Sequence, residues 1–146
     1  MFGDGSERPE IKVTVDTLDD MLEREAAMAS LIKCDTQGSE YDIVLGGLKT
    51  LERDRAVWLF ELWPAGLAQM GASPRELLGL FVDRDYLLFE VLDDDERLLD
   101  VTTEELMEVC APHYPSDVDW FTNVLAIPRD SPRLEVARRI VRDSRR

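Results

Sequence analysis

One ten-residue stretch, Leu31 to Glu40, constrains the fold of this chain most strongly. Its sequence is LIKCDTQGSE, in which a short apolar run ends at an acid and is followed by polar residues and a glycine. An apolar run bounded by turn residues predicts a buried strand, and Ser39 then begins a helical pattern. The stretch therefore predicts a strand, a turn and a helix. Asp35, Gln37 and Glu40 follow the strand's carboxyl end, where open α/β sheets bind ligands.

The chain has the size and composition of one soluble globular domain. Its 146 residues are 45% hydrophobic, and a chain of this length buries roughly 68–70% of its unfolded surface. The formal net charge of −14 disfavours binding to nucleic-acid phosphates or anionic membranes. No apolar run approaches the ~18 residues of a membrane span, and the N-terminus lacks an apolar signal-peptide core. We therefore predict a cytoplasmic protein that binds neither nucleic acid nor membranes.

Apolar spacing along the chain predicts alternating strands and helices. Alternation or continuous apolar runs indicate the strands, and capping patterns such as Ser73-Pro74-Arg75-Glu76 mark the helix starts. The predicted strands cover residues 11–15, 31–35, 56–60, 86–92 and 121–127, and the predicted helices begin near Thr17, Ser39, Ser73, Thr102 and Pro132. This alternation favours an α/β fold with a mostly parallel sheet and helices on both faces.

Three local features complete the predicted organisation. Residues 1–10 are expected to form a flexible tail and residues 129–146 a C-terminal helix. Gly46-Gly47 interrupts the helix after Ser39, which predicts either a close approach by a neighbouring element or an early helix end with a second short turn. Cys34 and Cys110 lie far apart without CxxC spacing, so we expect a buried thiol at Cys34, no disulfide framework and no metal site.

Two acids that end apolar strands are the main candidates for chemistry. Asp35 and Glu61 lie at the same sheet edge if their strands are parallel neighbours. A carboxylate there can serve as general base, metal ligand or hydrogen-bond acceptor. Alternatively, each caps the next helix or meets backbone N–H groups. Glu40 lies in a first helical turn, where interaction with the helix dipole is the simpler expectation.

Three further residues are candidates for substrate contacts. Gln37 can bind substrate hydroxyls or shape the turn, and Trp63 can line a pocket or pack in the core. His113, the only histidine, lies in a loop over residues 111–119, where a histidine is more often a bystander than a base. The acidic run at 93–96 lacks the spacing of a calcium loop and predicts a solvated turn.

The order of these motifs resembles the FkbM-type family of S-adenosylmethionine-dependent methyltransferases. Residues 15–22, VDTLDDML, resemble its strand-to-helix element V-x-T-L-D-D-L-L, and residues 31–40 resemble its motif L-L-K-I-D-(V/T)-(E/Q)-G-x-E. Residues 121–126, FTNVLA, resemble its closing strand, and Glu61 ends a strand as the family's acid does. The resemblance covers residues 11–128, which are similar to the C-terminal portion of the family's domain.

The resemblance implies a class I, Rossmann-like methyltransferase fold with an antiparallel last strand. It implies methyl transfer from S-adenosylmethionine to a small-molecule acceptor, often a sugar or natural-product hydroxyl, with Asp35 as the first candidate for the base. Asp16 and Thr17 match the region where such folds meet the adenine. The family's first half, with its glycine loop and ribose-binding acid, has no counterpart in these residues, so we expect the lone chain to be an incomplete enzyme.

Without the strands of the family's first half, the predicted strand 31–35 has an open apolar edge, which is an aggregation risk. We expect either that strand 11–15 pairs directly with strand 31–35, or that a second polypeptide or second copy covers the edge. Two other functions stay open. One is a non-catalytic interaction module that has lost cofactor binding, and the other is an unrelated α/β module with Asp35 and Glu61 as an acidic pocket.

Overall fold

A computed structural model of the chain describes residues 11–92 and 97–143. The strands are β1 (Leu31–Cys34), β2 (Val57–Leu62), β3 (Tyr86–Leu92), β4 (Arg97–Val101) and β5 (Thr122–Pro128). The helices are α1 (Leu18–Arg24), α2 (Glu40–Leu45), α3 (Leu48–Asp54), α4 (Pro64–Gln69), α5 (Pro74–Val82), α6 (Thr103–Cys110) and α7 (Arg133–Asp143). The predicted tail at 1–10 and the predicted turn at 93–96 lie outside the described residues.

The five strands form one mixed sheet in the order β1-β2-β5-β3-β4. Only β1 and β2 pair in parallel, and the other three pairings are antiparallel. The prediction of a mostly parallel sheet is therefore wrong. The physical reason is that β4 folds back on β3 as a hairpin and that β5 inserts between β2 and β3 in the opposite direction. The last strand is thus antiparallel to both of its neighbours, as the resemblance implies.

Residues 11–15 form no strand, contrary to the prediction. Ile11, Val13 and Val15 are instead 81%, 76% and 89% exposed. Alternating polarity satisfies only the side-chain pattern of a strand, because its backbone N–H and C=O groups also need a neighbouring strand. Within the described residues β1 pairs on one side only, with β2. The expected direct pairing of residues 11–15 with residues 31–35 is therefore also wrong.

Side chains alternate between two apolar cores on opposite faces of the sheet. On one face Trp58 and Phe60 of β2 pack with residues of α2 to α6, and Phe60 stacks on Phe81 at 4.9 Å between ring centroids. On the other face Val57 and Ile127 pack under α7. Each fully buried aromatic ring of this kind stabilises the fold by roughly 1.5–3 kcal/mol. This burial on both faces explains the unbroken apolar run at residues 56–60.

The helix that begins after Ser39 ends early, at the glycine pair. α2 stops at Leu45, and α3 begins at Leu48. A close approach is present as well, since a Cβ atom on Gly47 would lie 2.8 Å from Cδ2 of Leu18. Both features predicted for the glycine pair, an early helix end and a close approach by a neighbouring element, are therefore present.

Helix α1 is tied to α3 by a side-chain cap. Gly47 offers α3 no side-chain cap. Asp19 of α1 caps α3 instead, because its carboxylate accepts hydrogen bonds from the N–H groups of Lys49 at 3.0 Å and Thr50 at 2.7 Å. This contact fixes the start of α1, and with it Asp16 and Thr17, relative to α2 and α3.

Both cysteines are free and buried. Burial raises the pKa of the Cys34 thiol to about 11 and that of Cys110 to about 12, so neither is a reactive thiolate near neutral pH. Within residues 11–92 and 97–143, no helix combines the length and apolar character needed to cross a membrane.

Candidate functional site

The carboxyl ends of β1 and β2 bring the two candidate acids together. Cys34 pairs with Phe60 in a parallel register, so Asp35 and Glu61 follow as neighbours at one sheet edge. Glu61 is only 8% exposed. Its burial raises the pKa of its carboxyl group, and the negative charges of Asp35 and Glu40 raise it further. Glu61 therefore keeps its proton to a higher pH than an ordinary glutamate.

Asp35 is the exposed member of this pair. Its side chain is 43% exposed, and the ammonium nitrogen of Lys33 lies 3.1 Å from Oδ2. An exposed ion pair of this kind contributes only ~0–1 kcal/mol to stability, so the carboxylate is accessible to a ligand at little cost. Among the residues that the structure describes, no group of three or more acids, histidines or cysteines is arranged to hold a metal ion.

Gln37 links the turn after β1 to Glu61. Its amide nitrogen Nε2 donates to Oε2 of Glu61 at 3.4 Å, which is slightly longer than the ~2.7–3.2 Å of typical N–H···O hydrogen bonds and marks a weak contact. Its backbone has a φ of 57°, in the left-handed region that side-chain-bearing residues adopt infrequently. Gln37 therefore shapes the turn and also faces the acid on the neighbouring strand.

Glu40 lies beneath this turn and is fully buried. Its Oε1 accepts from the N–H of Thr36 at 2.7 Å and from its hydroxyl at 3.0 Å, and its Oε2 accepts from the N–H of Gly38 at 2.9 Å. The helix-dipole interpretation of the sequence missed this contact. The only sequence signal was an acid placed shortly after a polar turn with a glycine, which is compatible with many geometries.

Gly38 closes the turn against helix α4. Its φ is 103°, and a Cβ atom there would lie 2.7 Å from the carbonyl carbon and oxygen of Gly66. Gly66 has no room for a Cβ either, because the ring of Trp63 lies against it. Trp63 is half-buried, and this contact favours the packing interpretation of that residue over the pocket interpretation.

His113 is held by two partners that the sequence analysis did not identify. Its Nδ1 lies 2.7 Å from Oδ2 of Asp117, and its ring stacks on Trp120 with 4.1 Å between centroids. The hydrogen bond with His113 is the main cause that lowers the pKa of Asp117. The loop with His113 leads into β5 at Thr122, which pairs with Leu62. The loop thus ends at the sheet edge that holds Asp35 and Glu61.

Asp16 and Thr17 line a separate cleft of about 610 Å³ between residues 15–21 and helix α2. Thr17 caps α1 by accepting from the N–H of Asp20. The Asp16 carboxylate accepts from Arg24 at 2.6 Å, and this hydrogen bond is the main cause that lowers the pKa of Asp16. Neither Asp35 nor Glu61 lines this cleft, so the structure places the predicted cofactor residues apart from the predicted catalytic acids.

We expect Gly38→Ala to destabilise the protein more than Gly71→Ala. Both glycines have positive φ values, 103° and 83°, so each alanine incurs backbone strain of about 1 kcal/mol. At Gly38 the new Cβ also meets the Gly66 backbone, whereas nothing lies within 4 Å at Gly71. The clash should lower the free energy of unfolding by a further ~1–3 kcal/mol, as measured by denaturant unfolding. Equal losses at both positions would contradict the packing of the turn on α4.

We expect Glu61→Gln to stabilise the protein increasingly as the pH rises. The folded-state pKa of Glu61 lies above its unfolded value, so the folded protein binds more protons between the two values and loses stability as pH rises through that window. The amide does not titrate. Free energies of unfolding at about pH 4 and about pH 7 should show the gain of the variant growing with pH.

The control for this measurement is Glu108→Gln, which alters an exposed glutamate. A gain that is independent of pH in the Glu61 variant, or that grows equally in the control, would contradict the raised pKa.

Comparison with known proteins identifies the family. A family model, the methyltransferase FkbM domain, matches residues 2–88, which is more than half of the chain. The match includes Asp16, the Asp35 turn and Glu61, but it does not extend to the closing strand β5. No curated protein and no solved structure matches the chain. The chain belongs to the FkbM methyltransferase domain family.

Proposed function

We propose that this chain forms the acceptor side of an S-adenosylmethionine-dependent methyltransferase that methylates a hydroxyl of a sugar or another small natural product. The observation that carries the proposal is the grouping of Asp35, Gln37 and Glu61 at one sheet edge in a member of this family. Carboxylate and amide groups bind hydroxyls by hydrogen bonds, and carboxylates accept their protons. The net charge of −14 favours a small acceptor over a nucleic acid.

Asp35 is the proposed base. When bound, S-adenosylmethionine supplies an electrophilic methyl group. Asp35 would accept the proton of the acceptor hydroxyl while the hydroxyl oxygen bonds to the methyl carbon and the bond between that carbon and the donor's sulfur breaks. Glu61, with its raised pKa, is suited to donate a hydrogen bond from its protonated form, and Gln37 orients the acceptor beside it. His113 is the proposed additional contact to the acceptor, with Trp63 supporting the wall behind the Gln37 turn.

The described residues fit only part of S-adenosylmethionine. The cleft beside Asp16 and Thr17, about 610 Å³ in volume, lies within the ~300–1,000 Å³ of small-molecule sites. In contrast, the Gly66 backbone fills the space where a Cβ atom on Gly38, the glycine after β1, would lie, so this side of Gly38 has no room for a ligand. We therefore assign the adenosine part of the donor to the cleft. The remainder of the donor would be held by further polypeptide.

The open edge of β1 is the proposed docking place for that polypeptide, whether it comes from the same protein, a second copy or another chain. Leu31 on this edge is 62% exposed. The unpaired backbone groups of an edge strand can accept an added strand. Residues 11–15, which are exposed and alternate in polarity, would gain a pairing partner from the same addition.

We expect adenosine to perturb the backbone amide signals of residues 15–18 and 46 when it is titrated into the chain and followed by NMR. Affinity should be weak, with a Kd of about 1 mM or higher, because only part of the donor is held. Asp16→Ala should weaken the response, whereas Glu23→Ala, which alters an exposed residue of α1 that does not line the cleft, should not. No response in the cleft would contradict the assignment and favour a non-catalytic interaction module.

We expect Asp35→Asn to lower kcat by ~10² or more once the polypeptide that completes the donor site is present, since a positioned base contributes that much. Donor affinity should stay unchanged. The control is Lys33→Gln, which removes the ion pair but keeps the carboxylate. An unchanged rate in Asp35→Asn would exclude Asp35 as the base. An equal loss in the control would indicate that the ion pair matters instead.

A further inference from the structure

We propose that Glu40 is the positioning residue of the candidate site. Its buried carboxylate holds the turn from Thr36 to Gly38 in the shape that directs Gln37 toward Glu61. The catalytic consequence of this arrangement rests on the proposed function. The arrangement itself can be tested without methyl transfer.

The contacts of Glu40 are those of a turn anchor rather than of a surface charge. The residue is 0% exposed. Three hydrogen bonds reach its carboxylate, two from Thr36 and one from Gly38, and in the described part of the chain no ion pair reaches it. A buried carboxylate is unfavourable unless it is hydrogen-bonded. The carboxylate and the turn therefore stabilise each other.

Comparison with a neighbouring acid, Asp42, distinguishes the anchoring of the turn from a simple interaction with the helix dipole. Asp42 also lies in the first turn of α2, but it is exposed and makes no comparable contacts with residues 36–38. Both acids can interact with the positive end of the helix. Only Glu40 of the two is joined to the turn, so the two residues form a matched pair for an experiment.

Gln37 lies between the two anchored N–H groups and has little freedom to move. Its φ of 57° is a conformation that persists only where the surroundings impose it. Glu40 fixes the residues on either side, and Gly66 blocks the turn at Gly38. The Gln37 side chain thereby spans from β1 to Glu61 on β2. Glu40 acts through Gln37 and does not itself contact the acceptor.

The experiment follows the side-chain amide signals of Gln37 by NMR in a pH titration of the unmodified chain, Glu40→Gln and Asp42→Asn. In the unmodified chain and in Asp42→Asn, these signals should shift as Glu61 ionises, because Nε2 lies 3.4 Å from its carboxylate. In Glu40→Gln the shift should be lost. Hydrogen exchange of the Thr36 and Gly38 amides should accelerate by ~10-fold or more.

Persistence of both the Gln37 shift and the amide protection in Glu40→Gln would overturn the proposal. Glu40 would then be assigned only an interaction with the helix dipole. If that variant does not fold, Thr36→Val carries the test, since it removes one of the three donors and keeps Glu40. A smaller loss in the same direction is then expected, and no loss would overturn the proposal. Absence of methyl transfer with an intact Gln37 shift would instead count against the proposed function.

Discussion

Both cores of this protein depend on the insertion of β5 into the middle of the sheet. β5 is the last strand in the chain, yet it lies between β2 and β3 and pairs with both. Without it, the β1–β2 pair and the β3–β4 hairpin share no backbone pairing. This contact is distant in sequence, so the entropy of closing a long loop opposes it until the apolar faces, including Val124 and Ala126, are buried. The same insertion brings the loop with His113 to the edge that holds Asp35 and Glu61.

Three carboxylates near the carboxyl ends of β1 and β2 have different surroundings. Asp35 is exposed beside Lys33, Glu61 is buried beside the charge of Asp35, and Glu40 is buried against the N–H groups of the turn. A carboxylate in water accepts protons and ligands, whereas a buried one must be protonated or hydrogen-bonded. The three acids therefore differ: Asp35 is accessible, Glu61 keeps its proton to a higher pH than an ordinary glutamate, and Glu40 supports the turn.

The edge of β1 and the Asp35 turn are adjacent, because within the described residues β1 pairs only with β2 and Asp35 directly follows this strand. A strand beside β1 would satisfy the backbone groups of that edge and would lie next to the turn at Asp35. The cleft near Asp16 has its own lining residues, which include neither Asp35 nor Glu61. Under the proposed function, one element added beside β1 would extend the sheet and bring further residues to the Asp35 turn.

The sequence alone was sufficient to predict the strands and helices that have a distinct polarity pattern. It also predicted that Asp35 and Glu61 lie at the same edge of the sheet. β1, β2, β3 and β5 are predicted because burial selects apolar residues, and parallel neighbours end at the same edge. The pattern did not predict β4 or α4, and it wrongly predicted a strand at residues 11–15. The tertiary structure decided those features and the anchoring of the turn by Glu40. The physical reason is that a strand requires a partner for its backbone, and the task of a buried carboxylate depends on which N–H groups the fold directs toward it.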